Sequence, residues 1–179
     1  MKNLIIIDRD GVINYDSDDY IKSADEWQPI PGSLEAIASL HQAGYLIAVA
    51  TNQSGIARGL FSLETLQSMH LKMEALLADL GGKIDALAFC PHGPDEQCSC
   101  RKPKPGLLLT IATQLDVSLE NAYFVGDSYK DIEAARAVKA TGILVLTGKG
   151  QRTLDKHPEL DNEIPVYNNL QDFAYSLLK

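Results

Sequence analysis

Leu4-Ile5-Ile6-Ile7-Asp8-Arg9-Asp10-Gly11-Val12 is the stretch on which the fold turns. Four consecutive apolar residues, three of them β-branched, read as a short strand buried on both faces. Asp8 and Asp10 stand at its C-terminal end. Residues two apart in an extended segment point to the same side, so the two carboxylates converge at the mouth of a sheet. Like charges that close repel, and one pKa rises unless a cation is present. Such a pair suits a metal site, or a nucleophile beside a general acid. Gly11 lets the backbone turn sharply after it. Taken alone, the pair is equally a solvated turn.

Working outward, the same grammar repeats. Further strands are expected at 45–50, 84–90, 122–125, 143–146 and 164–167. Helices are expected at 31–43, 62–80, 105–116, 130–138 and 170–178. Pro31 suits a first helical turn, Ser62 an N-cap, and Gly44 and Gly81 helix stops. Strands separated by helices imply right-handed crossovers and a three-layer, Rossmann-like α/β fold, a parallel sheet covered by helices on both faces. No linker or repeat divides the 179 residues, so a single domain over 1–179 is expected. Three stretches stay irregular, 11–30, 52–61 and 91–104, each following a strand's C-terminal end. That edge of an open α/β sheet is where ligands bind.

The other strand ends carry chemistry too. Thr51-Asn52-Gln53-Ser54-Gly55 offers a hydroxyl and exposed N–H groups that suit phosphoryl oxygens. Arg101-Lys102-Pro103-Lys104-Pro105 packs three cations into four residues of an otherwise acidic chain. Val125-Gly126-Asp127-Ser128 brings a third carboxylate to the same edge, with Asp131 one helical turn on. An oxygen-rich carboxylate set suits Mg2+. Asp131 is open to three readings: a loop anchor, an orienting partner for Lys102, or an acid favourable to a helix N-terminus.

Cys90, His92, Cys98 and Cys100 use every cysteine of the chain in a C-x-H-x5-C-x-C pattern. Three thiolates and one imidazole complete a tetrahedral Zn2+ shell with no position left for water, which predicts a structural ion. The loop has little apolar content and needs a clamp. Its last ligand runs directly into Arg101 and Lys102, so the metal is expected to aim those cations. The remaining histidines, His41, His70 and His157, read as surface residues.

These ordered elements resemble the haloacid dehalogenase superfamily of phosphohydrolases. Asp8-Arg9-Asp10-Gly11-Val12, Thr51-Asn52, Lys102, and Gly126-Asp127 with Asp131 follow one another at successive strand ends. Within it the chain is similar to the D-glycero-D-manno-heptose 1,7-bisphosphate phosphatases, themselves related to histidinol-phosphate phosphatases. Asp8 through Asn14, Thr51 through Gly59, and the cysteine loop feeding Arg101-Lys102-Pro103 carry that closer match. The resemblance implies a phosphatase with an aspartyl-phosphate intermediate, acting in the making of nucleotide-activated heptose for lipopolysaccharide core or a related glycan. It implies Asp8 as nucleophile, Asp10 as general acid/base, Thr51 and Lys102 as holders of the phosphoryl group, and Arg101 as a recognition residue. It implies Mg2+ on Asp8, the Asp10 main-chain carbonyl and Asp127. Asp16, Ser17, Asp18, Asp19, Asn52, Gln53 and Ser54 fall where family members meet substrate. The subgroup lacks a large cap domain, in keeping with the absence of a long insertion. Ser128 departs from members that carry lysine there.

A net charge of −8 argues against nucleic acid or an anionic membrane as partner. The apolar run near the N-terminus is four residues long, too short for a leader core or a bilayer span. A cytoplasmic monomer acting on a small phosphorylated sugar is expected. Histidinol-phosphate hydrolysis is the nearest alternative, and a non-catalytic, zinc-bearing phosphosugar-binding module is the alternative of another class.

Overall fold

The computed structural model describes residues 3–179. Six strands, all parallel, form one sheet in the order β3-β2-β1-β4-β5-β6. They are β1 (Leu4–Ile7), β2 (Leu46–Asn52), β3 (Ala86–Cys90), β4 (Tyr123–Gly126), β5 (Thr141–Val145) and β6 (Val166–Tyr167). The helices are α1 (Ser33–Gln42), α2 (Leu63–Asp79), α3 (Gly106–Leu115), α4 (Tyr129–Ala137), α5 (Gly150–Lys156), α6 (Leu160–Glu163) and α7 (Leu170–Leu178).

β1 lies at the centre and is wholly buried. Its side chains alternate between two cores, as a strand's period of two requires. Ile5 and Ile7 join Leu34 and Ile37 of α1, Met69 of α2 and Phe173 of α7. Leu4 and Ile6 join Leu107 and Ile111 of α3 and Ala134 of α4. Strand order reverses between β1 and β4, so the crevice above their C-terminal ends is the switch point of the sheet. Asp8 and Asp127 each follow directly on one of those ends.

The expected strands and helices form, with ends shifted by a residue or a few. Ser62 caps α2, its hydroxyl accepting from the Thr65 N–H at 3.1 Å. The three stretches read as irregular contain no helix, and apart from Asn52, which ends β2, no residue of a named strand. Helices α5 and α6 go beyond the sequence reading. The segment Gly150-Gln151-Arg152-Thr153-Leu154-Asp155-Lys156 has no apolar stripe to announce a helix. It is held by tertiary contacts: Thr153 Oγ1 donates to the Asp127 carbonyl at 2.9 Å. A side chain at Gly150 would strike the Val145 carbonyl.

Candidate active site and metal centres

Asp8 follows β1, and its backbone N–H continues the ladder to Val125 of β4 at 2.9 Å. That bond fixes the carboxylate at the switch point. Lys102 approaches from the loop after β3 and is only 3% exposed. Its ammonium forms ion pairs with Asp8 Oδ1 at 2.9 Å and Asp131 Oδ1 at 2.8 Å and donates to the Ala50 carbonyl at 3.0 Å. Burial opposes its charge, but Asp131 and Asp8 outweigh burial and hold the lysine pKa above its ordinary value. Asn52 grips the Lys102 backbone from both sides, accepting from its N–H at 3.0 Å and donating to its carbonyl at 3.2 Å.

Asp131 resolves the three readings of it. One oxygen meets Lys102, and the other accepts from the Ser128 N–H at 3.1 Å and hydroxyl at 2.8 Å. It therefore orients the lysine and closes the first turn of α4 at once.

Oxygens of Asp8, Asp127 and Asp131 lie within 4.8 Å of one another. Burial, with the neighbouring carboxylates Asp131 and Asp127, pushes Asp8 well above the usual carboxylate range despite Lys102. Burial and the Asp131 charge push Asp127 up to about 7, although the Lys149 N–H donates to its Oδ2 at 2.8 Å. Crowded, costly negative charge on oxygen donors is the environment a hard divalent cation relieves. Asp131 has both oxygens engaged, by Lys102 and by Ser128, whereas Asp8 is engaged through Oδ1 and Asp127 through Oδ2. A side chain at Gly11, where φ is +86°, would collide with the Asp127 carboxylate, so only glycine lets the two loops close this tightly.

The Asp10 side chain stands apart from that cluster. Its Oδ1 accepts from Asn14 Nδ2 at 2.8 Å, and its Oδ2 from Gln53 Nε2 at 2.8 Å. Arg9 forks onto both oxygens. Burial raises the Asp10 pKa, but the Arg9 charge and these donors more than offset burial and hold it below the ordinary value. Gln53 also donates to Thr51 Oγ1 at 2.9 Å, which ties the hydroxyl to the acid.

A cavity of about 550 Å³ opens over these groups. It is lined by Asp8, Asp10, Asp16, Ser17, Asp18, Thr51, Asn52, Gln53, Ser54, Arg101, Lys102 and Asp127, residues singled out from sequence. Asp19 is not among its walls; its N–H donates to Ser17 Oγ at 3.1 Å. The walls the sequence left unmarked come mainly from α4 and α5, including Lys130, Lys149, Arg152 and Lys156. Lys149 Nζ meets Asp16 at 3.1 Å and Arg152 meets Asp18 at 3.8 Å, joining the loop after β1 to α5. The Thr-Gly-Lys-Gly run at 147–150, glycine-rich and following a strand, is the signal that could have marked this wall.

The cysteine loop sits beside the cavity. Cys90 Sγ lies 3.4 Å from His92 Nδ1, 3.8 Å from Cys98 Sγ and 3.2 Å from Cys100 Sγ, and His92 Nδ1 lies 3.3 Å from Cys100 Sγ. A tetrahedral zinc with bonds of ~2.0–2.3 Å would place its ligands ~3.3–3.8 Å apart. Three of the four separations fall in that range and the Cys90–Cys100 pair is slightly closer, and all four donor atoms lie within 4.8 Å of one another, a grouping that could hold one such ion. Arg101 leaves this cluster with its guanidinium donating to the His92 carbonyl at 3.3 Å.

One reading of the histidines is corrected. His70 is no surface residue: it is 8% exposed and lies 3.2 Å from the Arg9 guanidinium. A histidine among Leu66, Met69 and Met73 on the core face of α2 is drawn inward with that face.

A family model described as HAD-hydrolase-like matches residues 99–173. A D-glycero-beta-D-manno-heptose-1,7-bisphosphate 7-phosphatase of Pseudomonas putida is 61% identical over 153 residues, covering 86% of this chain and 87% of that protein. The enzyme of the same name from Pseudomonas aeruginosa is 54% identical over 178 residues, 99% of each chain. The crystal structure of D,D-heptose 1,7-bisphosphate phosphatase from Bordetella bronchiseptica, complexed with magnesium and phosphate, superposes with a TM-score of 0.94 at 49% identity, covering 98% of both chains. With such identity along nearly the whole length, the chain belongs to the D-glycero-beta-D-manno-heptose-1,7-bisphosphate 7-phosphatase family of HAD-like hydrolases.

Proposed function

We propose that this enzyme removes the 7-phosphate of D-glycero-beta-D-manno-heptose 1,7-bisphosphate, through an aspartyl-phosphate at Asp8. The observation that carries the mechanism is the Lys102 ammonium held between Asp8 and Asp131 at 2.9 and 2.8 Å, beside the Asp127 carboxylate. Mere binding of a phosphosugar needs no carboxylate pinned in this way.

In the first step Asp8 attacks phosphorus, the bond to the sugar oxygen breaks, and Asp10 hands that oxygen a proton. In the second, Asp10 takes a proton from water as the water attacks the acyl phosphate. Phosphate then leaves and the Asp8 carboxylate is restored. The donors around Asp10 favour its carboxylate form, which suits it to take the proton from water in the second step. Lys102 and the Thr51 hydroxyl hold the phosphoryl oxygens. Mg2+ on Asp8, Asp127 and the Asp10 main-chain carbonyl would supply neutralising charge for those oxygens. Zn2+ on Cys90, His92, Cys98 and Cys100 would fix the loop that aims Arg101 and Lys102. Arg101, Asp16 to Asp18 and Asn52 to Ser54 form the recognition wall. This chemistry belongs to the making of nucleotide-activated heptose.

The test is turnover of the heptose bisphosphate, histidinol phosphate and 4-nitrophenyl phosphate, with Mg2+ and with a chelator. Magnesium-dependent release of one phosphate per heptose bisphosphate, well above that from histidinol phosphate, is expected. Preference for histidinol phosphate would overturn the substrate assignment.

A further inference from the structure

Arg9 is a buried cation to which the two-step reaction gives no task. It is fully excluded from solvent. Its Nε and one terminal nitrogen reach Asp10 Oδ1 at 3.1 and 2.8 Å, and that nitrogen reaches Oδ2 at 3.1 Å. The other terminal nitrogen points away, to His70 Nε2 at 3.2 Å and Met69 Sδ at 3.7 Å. A guanidinium can only donate, so His70 Nε2 accepts and its proton sits on Nδ1. Burial and the Arg9 charge press the His70 pKa down to about 4, which keeps the ring neutral and able to accept.

We propose that Arg9 is a positioning residue for Asp10, and that His70, from the core face of α2, fixes Arg9 by accepting the N–H that Asp10 does not use. A planar fork sets both the place and the plane of a carboxylate, which a point charge does not. Asn14 and Gln53 each hold one oxygen, while Arg9 holds the group as a whole. Proton transfer demands hydrogen-bond reach, and a misplacement of ~1 Å can cost about 10²-fold. The α2 helix thereby acquires a stake in the chemistry without touching substrate.

The inference rests on the phosphatase reading, and leaving-group chemistry separates the two. A sugar alkoxide leaves poorly and needs the Asp10 proton; 4-nitrophenolate leaves without one. The value of kcat/KM reports the half-reaction that ends with the leaving group's departure. In Arg9→Lys, kcat/KM for the heptose bisphosphate should fall about 10²-fold, and that for 4-nitrophenyl phosphate far less, so that their ratio shifts by at least about tenfold. His70→Leu should shift the ratio in the same direction. His70→Gln, which keeps an acceptor, should bring it back. Should Arg9→Lys not fold, the two His70 variants carry the same comparison. Equal losses on both esters, or an unchanged ratio, would mark a merely structural pair and overturn the proposal. The parent is assayed first on both esters with Mg2+. No turnover of either would overturn the phosphatase reading and this inference together, whereas a flat ratio overturns this inference alone.

Discussion

Lys102 has three acceptors and almost no water, with Asp8, Asp131 and the Ala50 carbonyl around one ammonium. A buried cation between two carboxylates contributes most through what its loss exposes. Lys102→Met keeps the stem and deletes the charge, leaving Asp8 and Asp131 facing each other. Thermal or urea melts should show a loss of about 3–5 kcal/mol, and turnover should fall below detection. A variant as stable as the parent would mean that the ion pair is not the hub drawn here. Lys102, Asp8 and Asp127 were legible in the sequence because each follows the end of a strand, and strand ends share one edge. Arg9 was quoted in the motif, but its function was hidden. One of its partners lies 61 residues away on α2, and a histidine among Leu66, Met69 and Met73 carries no mark that tells a partner from core filling.

The loop after β3 has few apolar side chains, so its order must come from its ligands. Its four donors spread over 11 residues, from Cys90 to Cys100, and the next two residues are Arg101 and Lys102. Burial and the Cys100 contact push the Cys90 thiol up to about 12, a cost that a bound cation removes by holding the thiolate. One zinc per chain is therefore expected by elemental analysis. Cys98→Ser should lower that content and the turnover together, while the α/β core still melts cooperatively. Full activity in zinc-free protein would separate the clamp from the site. This element was readable because donor type and spacing specify it locally. α5 was not, because Thr153 ties it to Asp127 just past β4 and Gly150 lets it close on Val145 of β5, contacts that no periodicity encodes.

Across the whole molecule the net charge of −8 leaves the acidic cleft to be neutralised locally, by Lys102 and by a divalent ion. The parallel order β3-β2-β1-β4-β5-β6 follows from strands alternating with helices, and it gathers Asp8 and Asp127 at one switch point. That convergence has a thermodynamic cost when no ion is bound. Asp127 moves from 3.8 to about 7, so between those values the folded, ion-free chain holds a proton that the unfolded chain lacks. Its stability should therefore fall as pH rises through that window. Asp127→Asn removes the titrating group and one of the crowded charges, while its amide oxygen can still accept from the Lys149 N–H. Without Mg2+ the variant should melt higher than the parent at pH 8, and its melting temperature should change less between pH 5 and 8. With Mg2+ the order should reverse. Only the parent gains binding energy, about 2.7 kcal/mol at a hundredfold excess over Kd. Parallel melting curves under both conditions would mean that the acidic crowding is already relieved by Lys102, and that the fold does not trade its own stability for an ion site.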